Sequence, residues 1–204
     1  MKGGRRSSKL FILSSPSGGG KTTVVRALLR RLPNLVRSVS VTTRPRRPAE
    51  RDGSDYRFIS LKAFQQLKTH GELLEWAKVH QAYYGTPRTP VERALARGRD
   101  CILCIDVQGA RQLRRRFGSR AILVFLLPPT LDDLKSRLVK RQTDTPEAIR
   151  KRLLVAQREL SCVQWYDYAV VNRKLSQAIA QLKAIVIAER SRVKGRGHRD
   201  TDPD

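Results

Sequence analysis

Apolar residues along this chain come in short unbroken runs, separated by stretches whose apolar positions recur at helical spacing. Leu10-Phe11-Ile12-Leu13 is continuous, as a strand covered on both faces would be. It gives way at Ser15-Pro16-Ser17-Gly18-Gly19-Gly20 to a loop that only small residues could close so tightly. From Lys21 the period becomes helical: Val24, Val25, Leu28, Leu29 and Leu32 share a face, Arg26, Arg30 and Arg31 lie off it, and Pro33-Asn34 ends it. Cys101 to Ile105, Ala121 to Leu127 and Tyr168 to Val171 repeat the buried-strand pattern, with helical segments between them that include Thr130 to Arg141 and Leu175 to Ala188. Strands alternating with helices predict βαβ units and a parallel sheet. Residues 38–90 break the rhythm. They are richer in Arg, Thr, Tyr and turn residues and predict an insertion with a small sheet of its own.

Composition narrows the class. At 204 residues with 40% hydrophobic content, the chain suits one compact unit with a real core. It has no run of about 18 apolar residues that would span a membrane, and no apolar signal segment follows Met1-Lys2-Gly3-Gly4-Arg5-Arg6, so a cytoplasmic protein is expected. Cys101, Cys104 and Cys162 are too few and odd in number for a disulfide framework. The first two form a C-x-x-C pair, but an offset of three on a strand puts them on opposite faces, and with no second pair zinc is not expected.

Charge adds a different constraint. There are 42 Lys+Arg against 18 Asp+Glu, a net +24, and the two ends of the chain hold only a small part of the excess. A body this basic predicts polyanionic partners: nucleic acid bound through its phosphates, or small phosphorylated substrates drawn in by the field. Composition does not choose between them.

The glycine loop chooses more sharply. Residues 15–22 match the phosphate-binding pattern G-x-x-x-x-G-K-[ST] everywhere except the first position, which is Ser15. The pattern works because loop N–H groups and the helix N-terminus below them cradle an anion, with Lys21 on the β- and γ-phosphates and Thr22 on Mg2+. A plain glycine turn before a helix is the competing reading, and the placement between a buried strand and an amphipathic helix weighs against it. Ser15 is expected to matter only by being small. Asp106, ending the strand Cys101 to Ile105, should face the crevice at the carboxyl ends of the strands and help order Mg2+ and its waters, unless it merely caps the next segment.

With these blocks stand Ser38-Val39-Ser40-Val41-Thr42-Thr43-Arg44-Pro45-Arg46-Arg47, Asp52-Gly53-Ser54-Asp55-Tyr56, Glu75-Trp76-Ala77, Tyr83-Tyr84-Gly85-Thr86, Ile105-Asp106-Val107-Gln108-Gly109 and Lys151-Arg152-Leu153. In that order and at those separations, the chain from about Leu10 to Glu189 resembles the guanylate kinase family. The resemblance implies an α/β P-loop NTPase fold of three layers, with a central parallel sheet, a small mixed α/β insertion that binds the nucleoside monophosphate, and a helical lid. It divides the chain into a core (1–37, 91–128 and 155–190), a GMP-binding insertion (38–90), a lid (129–154) and a disordered tail (191–204).

The implied reaction moves the γ-phosphoryl of ATP to GMP, and to dGMP with it, in purine nucleotide metabolism, with Mg2+ as the cofactor. ATP would be held by Ser15, Pro16, Ser17, Gly18, Gly19, Gly20, Lys21, Thr22, Thr23 and Asn172. The acceptor phosphate falls to Ser40, Arg44, Arg47, Tyr56 and Tyr84, whose guanidinium forks and hydroxyls suit a phosphate monoester. Guanine presents donors at N1 and N2 and an acceptor at O6. Glu75 matches the family's acceptor for the first two and Thr86 its donor for the third, with Asp106 and Gly109 completing the GMP site. Adenine would set a donor against Thr86 and leave Glu75 unpaired, so selection works by rejection as well as attraction. Lys21, Arg44, Arg47, Arg141 and Arg152 match the catalytic cations, and Thr22 and Asp106 the Mg2+ site. No general base is needed, because the acceptor oxygen is already ionised. Two departures stand out: Cys104 sits where the family usually carries an aspartate lining the guanine site, and Arg173 follows Asn172 where the family often has Asp.

Rival readings differ in what they require. A family-like interaction module would be expected to have a degraded phosphate loop, and here Gly20, Lys21 and Thr22 are intact. A nucleic-acid binder would be expected to show more than 6% aromatics, or an RNA-recognition motif or zinc finger. A kinase for another phosphorylated sugar or nucleotide would not need Glu75, Tyr84 and Thr86. The expected partners are therefore ATP and GMP, with no membrane and no obligatory nucleic acid. Arg111, Arg114, Arg115, Arg116 and Arg120 carry no catalytic assignment; weak RNA association and steering of anionic substrates both fit them. The sequence does not distinguish a monomer from a homo-oligomer.

Overall fold

A computed structural model of the chain describes residues 8–79, 81–139 and 146–193. In chain order the elements are β1 (Leu10–Ser14), α1 (Lys21–Leu29), β2 (Leu35–Arg37), β3 (Val41–Thr42), β4 (Arg57–Phe58), α2 (Leu61–Thr69), β5 (Leu73–Val79), β6 (Ala82–Pro87), α3 (Arg88–Ala96), β7 (Asp100–Cys104), α4 (Val107–Phe117), β8 (Ala121–Leu127), α5 (Leu131–Val139), α6 (Pro146–Ser161), β9 (Tyr168–Val171) and α7 (Leu175–Ser191).

β1 is apolar at consecutive positions because the sheet it centres is covered twice. The sheet runs β2-β7-β1-β8-β9, and every pairing in it is parallel. Phe11 and Leu13 face α1 and α7, packing with Val25, Leu28, Ile179 and Leu182. Leu10 and Ile12 face the other way, onto Val91 of α3 and Leu113 of α4. Cys101 belongs to that second cluster while Cys104 packs against the first, so the C-x-x-C pair does straddle the sheet. β2 escapes the hydrophobic pattern because it is a three-residue edge strand directly after Pro33-Asn34, too short to show a period.

Residues 41–87 build a second, mixed sheet of order β4-β3-β6-β5, with β3 parallel to β4 and antiparallel to β6. Its core is Val41, Phe64 and Leu73, with Trp76 and Tyr83 packed against them. It is tied to the main body at α4, where the Gln112 side chain donates to Trp76 O at 2.9 Å and accepts from Trp76 N at 3.3 Å.

α5 and α6 pack through Leu134, Leu138 and Ala156. α5 starts at a reciprocal cap: Asp133 N donates to Thr130 Oγ1 at 3.0 Å, and that hydroxyl donates to Asp133 Oδ2 at 2.7 Å. α6 opens on Pro146, where a missing N–H costs nothing, and continues unbroken past residue 154 to Ser161. Arg141, assigned a catalytic role from the sequence, lies outside the described residues, as does the tail from 194 onward. Among the described residues, no helix is long and apolar enough to cross a membrane.

Candidate active site

The main sheet reverses its strand order at β1, with β7 on one side and β8 on the other, and the loops after β1 and β7 open into one cleft. The cleft has a volume of about 1190 Å3. That exceeds the roughly 300–1,000 Å3 of an ordinary single-ligand pocket. It is bounded by the glycine loop, the second sheet and α6.

The glycine loop is shaped by backbone that other residues would not adopt. Gly20 has φ 94° and caps α1 without any side-chain bond, so the first-turn N–H groups of α1 are left for a ligand. A Cβ on Gly20 would sit 2.7 Å from Asn172 Nδ2, which itself donates to Gly19 O at 3.0 Å. Asn172 is 7% exposed, is absent from the cleft lining and holds the loop from beneath. Lys21 Nζ donates to Ser15 O at 2.6 Å and to Ser15 Oγ at 3.0 Å, while Ser15 Oγ donates to Pro16 O at 3.0 Å. Ser15 therefore does more than stay small: its hydroxyl takes part in holding the lysine, where size alone was expected to count.

One end of the cleft is built for an anion. Ser40, Arg44, Arg47, Tyr56 and Tyr84 all line it. Tyr56 and Tyr84 meet edge to face at 5.8 Å, and burial pushes the Tyr56 hydroxyl up to about 12, which keeps it a donor. The Arg44 guanidinium lies beside Tyr56 and Phe58 and donates from Nε to Tyr84 Oη at 3.1 Å. Sequence reasoning missed its strongest partner, Glu50, whose two carboxylate oxygens lie 2.8 and 3.0 Å from Arg44 Nη2 and Nη1. The available signal was an acid three residues after Arg47 in an otherwise basic run. Asp55 was named in a motif but given no role. It is 4% exposed, pairs with Arg26 of α1 and accepts from Arg51 N at 2.9 Å, so it joins the second sheet to the main body.

Two residues along β6 from Tyr84 lies a second polar site, suited to a donor-rich edge. Glu75 and Thr86 are cross-strand neighbours on β5 and β6, and Thr86 Oγ1 donates to Glu75 Oε1 at 2.5 Å. Both are buried, and only Glu75 lines the cleft. Behind it, Gly109 in the first turn of α4 approaches so closely that a Cβ there would collide with Glu75 Oε2. Gly109 thus acts by having no side chain. Burial lifts the Glu75 carboxyl to about 7; the Thr86 hydroxyl pulls the other way and Asp106 adds to the rise.

Asp106 is a helix cap and a cleft residue at once. It caps α4, with Oδ1 accepting from Gly109 N at 2.9 Å, and it lines the cleft. Burial raises its carboxyl, against the pull of the Gly109 N–H and Lys21. Thr22 and Thr23 line the cleft from α1, and Cys104 from β7, its thiol pushed up by burial and so held neutral. On α6, Arg152 lines the cleft together with Glu159, two turns further along the same helix face. Glu159 was not anticipated. Burial pushes it to about 7, while Lys21 pulls it down and Asp106 pushes it further up.

Residues 7–189 match the family model described as Guanylate kinase. The chain is 50% identical over 188 residues to a guanylate kinase of Chelativorans sp. (strain BNC1), covering 92% of this chain and 86% of that one. It is 48% identical over 188 residues to one of Bradyrhizobium diazoefficiens, with the same coverage. The crystal structure of guanylate kinase from Anaplasma phagocytophilum superposes with a TM-score of 0.79 at 32% identity, covering 92% of this chain and 88% of that one.

Proposed function

The chain belongs to the guanylate kinase family, and from that premise we infer that it phosphorylates GMP to GDP at the expense of ATP, with the cleft divided between the two nucleotides. The observation that carries the residue assignments is the placement of Glu75, backed by Thr86, in the same cleft as Lys21 and the glycine loop. A buried carboxylate that accepts from one hydroxyl still has lone pairs to satisfy. Guanine N1–H and N2–H supply the matching donors, and adenine does not.

The α1 N–H groups and Lys21 take the donor phosphates, while Arg44, Arg47, Tyr56, Tyr84 and Ser40 take the acceptor phosphate. An acceptor oxygen forms the new bond to the γ-phosphorus as the bridge from that phosphorus to the β-phosphate breaks. Charge spreads over the moving phosphoryl oxygens, and fixed cations there provide most of the acceleration. Lys21 and Arg152 are assigned that task, with Arg141 as a further lid cation. Mg2+ fits the residues present: Thr22 and Asp106 both line the cleft and offer hard oxygens, and the ion commonly binds through one or two such groups plus substrate phosphates. No cluster of three His, Cys, Asp or Glu able to hold a metal unaided occurs among the described residues. Bound there with ATP, the ion supplies neutralisation of the β- and γ-phosphate oxygens.

In the same reading, residues 38–90 carry GMP and residues 129–154 close over the core formed by 1–37, 91–128 and 155–190. Closure excludes water that would otherwise accept the phosphoryl group. α6 crosses the 154/155 border without a break, so Arg152 and Glu159 share one helix face across it. The three cysteines are free and suit a reducing compartment, and on that ground we place the reaction in the cytoplasm. Arg111, Arg115, Arg116 and Arg120 are exposed and outside the cleft lining, so they supply field to anionic nucleotides and support weak, salt-sensitive RNA association.

A coupled assay with ATP and a panel of GMP, dGMP, AMP, UMP and CMP tests the assignment. GMP and dGMP should turn over and the others should not. Lys21→Ala should lower turnover by about 1,000-fold or more with an unchanged melting curve. Full activity in that variant would refute the phosphate-loop assignment.

A further inference from the structure

We propose that Glu50 is a positioning residue for the acceptor phosphate, acting through Arg44 and through the turn that carries Arg47. The proposal rests on the reading of this end of the cleft as the acceptor-phosphate seat and adds a residue that the reading does not contain.

The geometry makes Arg44 a fixed post. Its Nε–H goes to Tyr84 Oη at 3.1 Å, its Nη1 donors to Pro45 O at 2.6 Å and Glu50 Oε2 at 3.0 Å, and one Nη2 donor to Glu50 Oε1 at 2.8 Å. Of the five N–H groups of a guanidinium, that leaves one Nη2 donor for a ligand, aimed by a two-point carboxylate clasp. Arg47 is held differently: its backbone N–H donates to Glu50 Oε2 at 2.9 Å, while among the described residues no hydrogen bond or ion pair holds its guanidinium. Glu50 thus locks one arginine and anchors the turn of the other without immobilising its fork.

Two roles are open to a carboxylate in such a place. It could stand in for the phosphate and leave when the phosphate arrives, or it could stay and present the cations. The attachments of Glu50 favour the second. Besides the clasp and the Arg47 N–H, its backbone N donates to Arg47 O at 3.0 Å and its carbonyl accepts from Arg46 Nη1 at 2.9 Å. The Arg44 and Glu50 side chains are only 16% and 17% exposed, and the clasp draws the Glu50 carboxyl below its ordinary value. A group fixed at this many points is scaffold. A carboxylate near a phosphate also repels it, so the two roles predict opposite signs: losing a placeholder tightens GMP binding, and losing a positioning residue weakens it.

Guanosine separates the phosphate seat from the base seat. For Glu50→Gln, calorimetric titration should show GMP affinity reduced about 10- to 100-fold, as for a lost charge-assisted bidentate contact, with guanosine affinity within about twofold of wild type and KM for ATP unchanged. In the Arg44→Ala background, adding Glu50→Gln should cost clearly less than it does in the wild type, because only the tie to the Arg47 turn is left to lose. Unchanged or tighter GMP binding in Glu50→Gln would overturn the proposal in favour of a placeholder. Equal losses for GMP and guanosine would overturn it in favour of a general structural role. Failure of the wild type to turn over GMP would instead strike the functional assignment beneath it.

Discussion

Two of the glutamates that line the cleft are shifted in opposite directions. Glu50 faces a guanidinium and a backbone N–H, and its carboxyl falls below the ordinary value despite partial burial. Glu75 faces a hydroxyl, with Asp106 rather than a cation among its charged neighbours, and burial carries it up to about 7. The residue type is shared; the neighbours decide whether the carboxylate is a permanent charge or one that a ligand must help to hold. The contrast matches the two tasks assigned to the cleft. A phosphate needs cations kept in place, and a base edge needs an acceptor that is costly to leave unpaired.

The largest effect on this contrast should come from Thr86→Val, which removes the donor to Glu75 and leaves the buried carboxylate with one partner fewer. Bonds to charged groups contribute about 1.5–3 kcal/mol, so GMP and guanosine affinities should both fall by about 10- to 100-fold while KM for ATP holds. Gly109→Ala should act on the same end more mildly, by about tenfold in KM for GMP, because its Cβ must push Glu75 aside; a null result in steady-state kinetics would mean that the close approach has no functional consequence. Next comes pH. A carboxyl near 7 must be ionised to accept from guanine, so guanosine affinity should rise with pH through about 7 and level off above it. Guanosine is the ligand to use, since the phosphate of GMP titrates near pH 6. Smallest should be the effect on stability. The folded state holds the Glu75 proton to higher pH than the unfolded chain does, so its contribution to stability is present below about 4.5 and is lost as pH rises through about 7. Glu75→Gln should flatten that slope in thermal melts taken across the range.

Much of the main body was legible because its physics is local or periodic. β8 and β9 match their apolar runs residue for residue, and the glycine loop lies where the period changes from strand to helix. What was not legible depends on contacts between distant segments. Nothing local tells that Asn172 would reach under the loop to Gly19, that Gly109 would close against Glu75, or that Glu159 would come to line the cleft near Lys21. Glu50 was hidden for another reason: an acid among arginines reads as a solvated loop until the clasp on Arg44 is seen.

The central claim is that a buried, cation-free carboxylate makes this cleft select guanine. Turnover of GMP and of AMP by wild type and Glu75→Gln, measured side by side as kcat/KM at pH 8, tests it most directly. The account predicts a strong GMP preference in the wild type and, in the variant, a GMP value lowered by about 100-fold with AMP little changed, so that the preference collapses. A variant that keeps the wild-type ratio of GMP to AMP would contradict it.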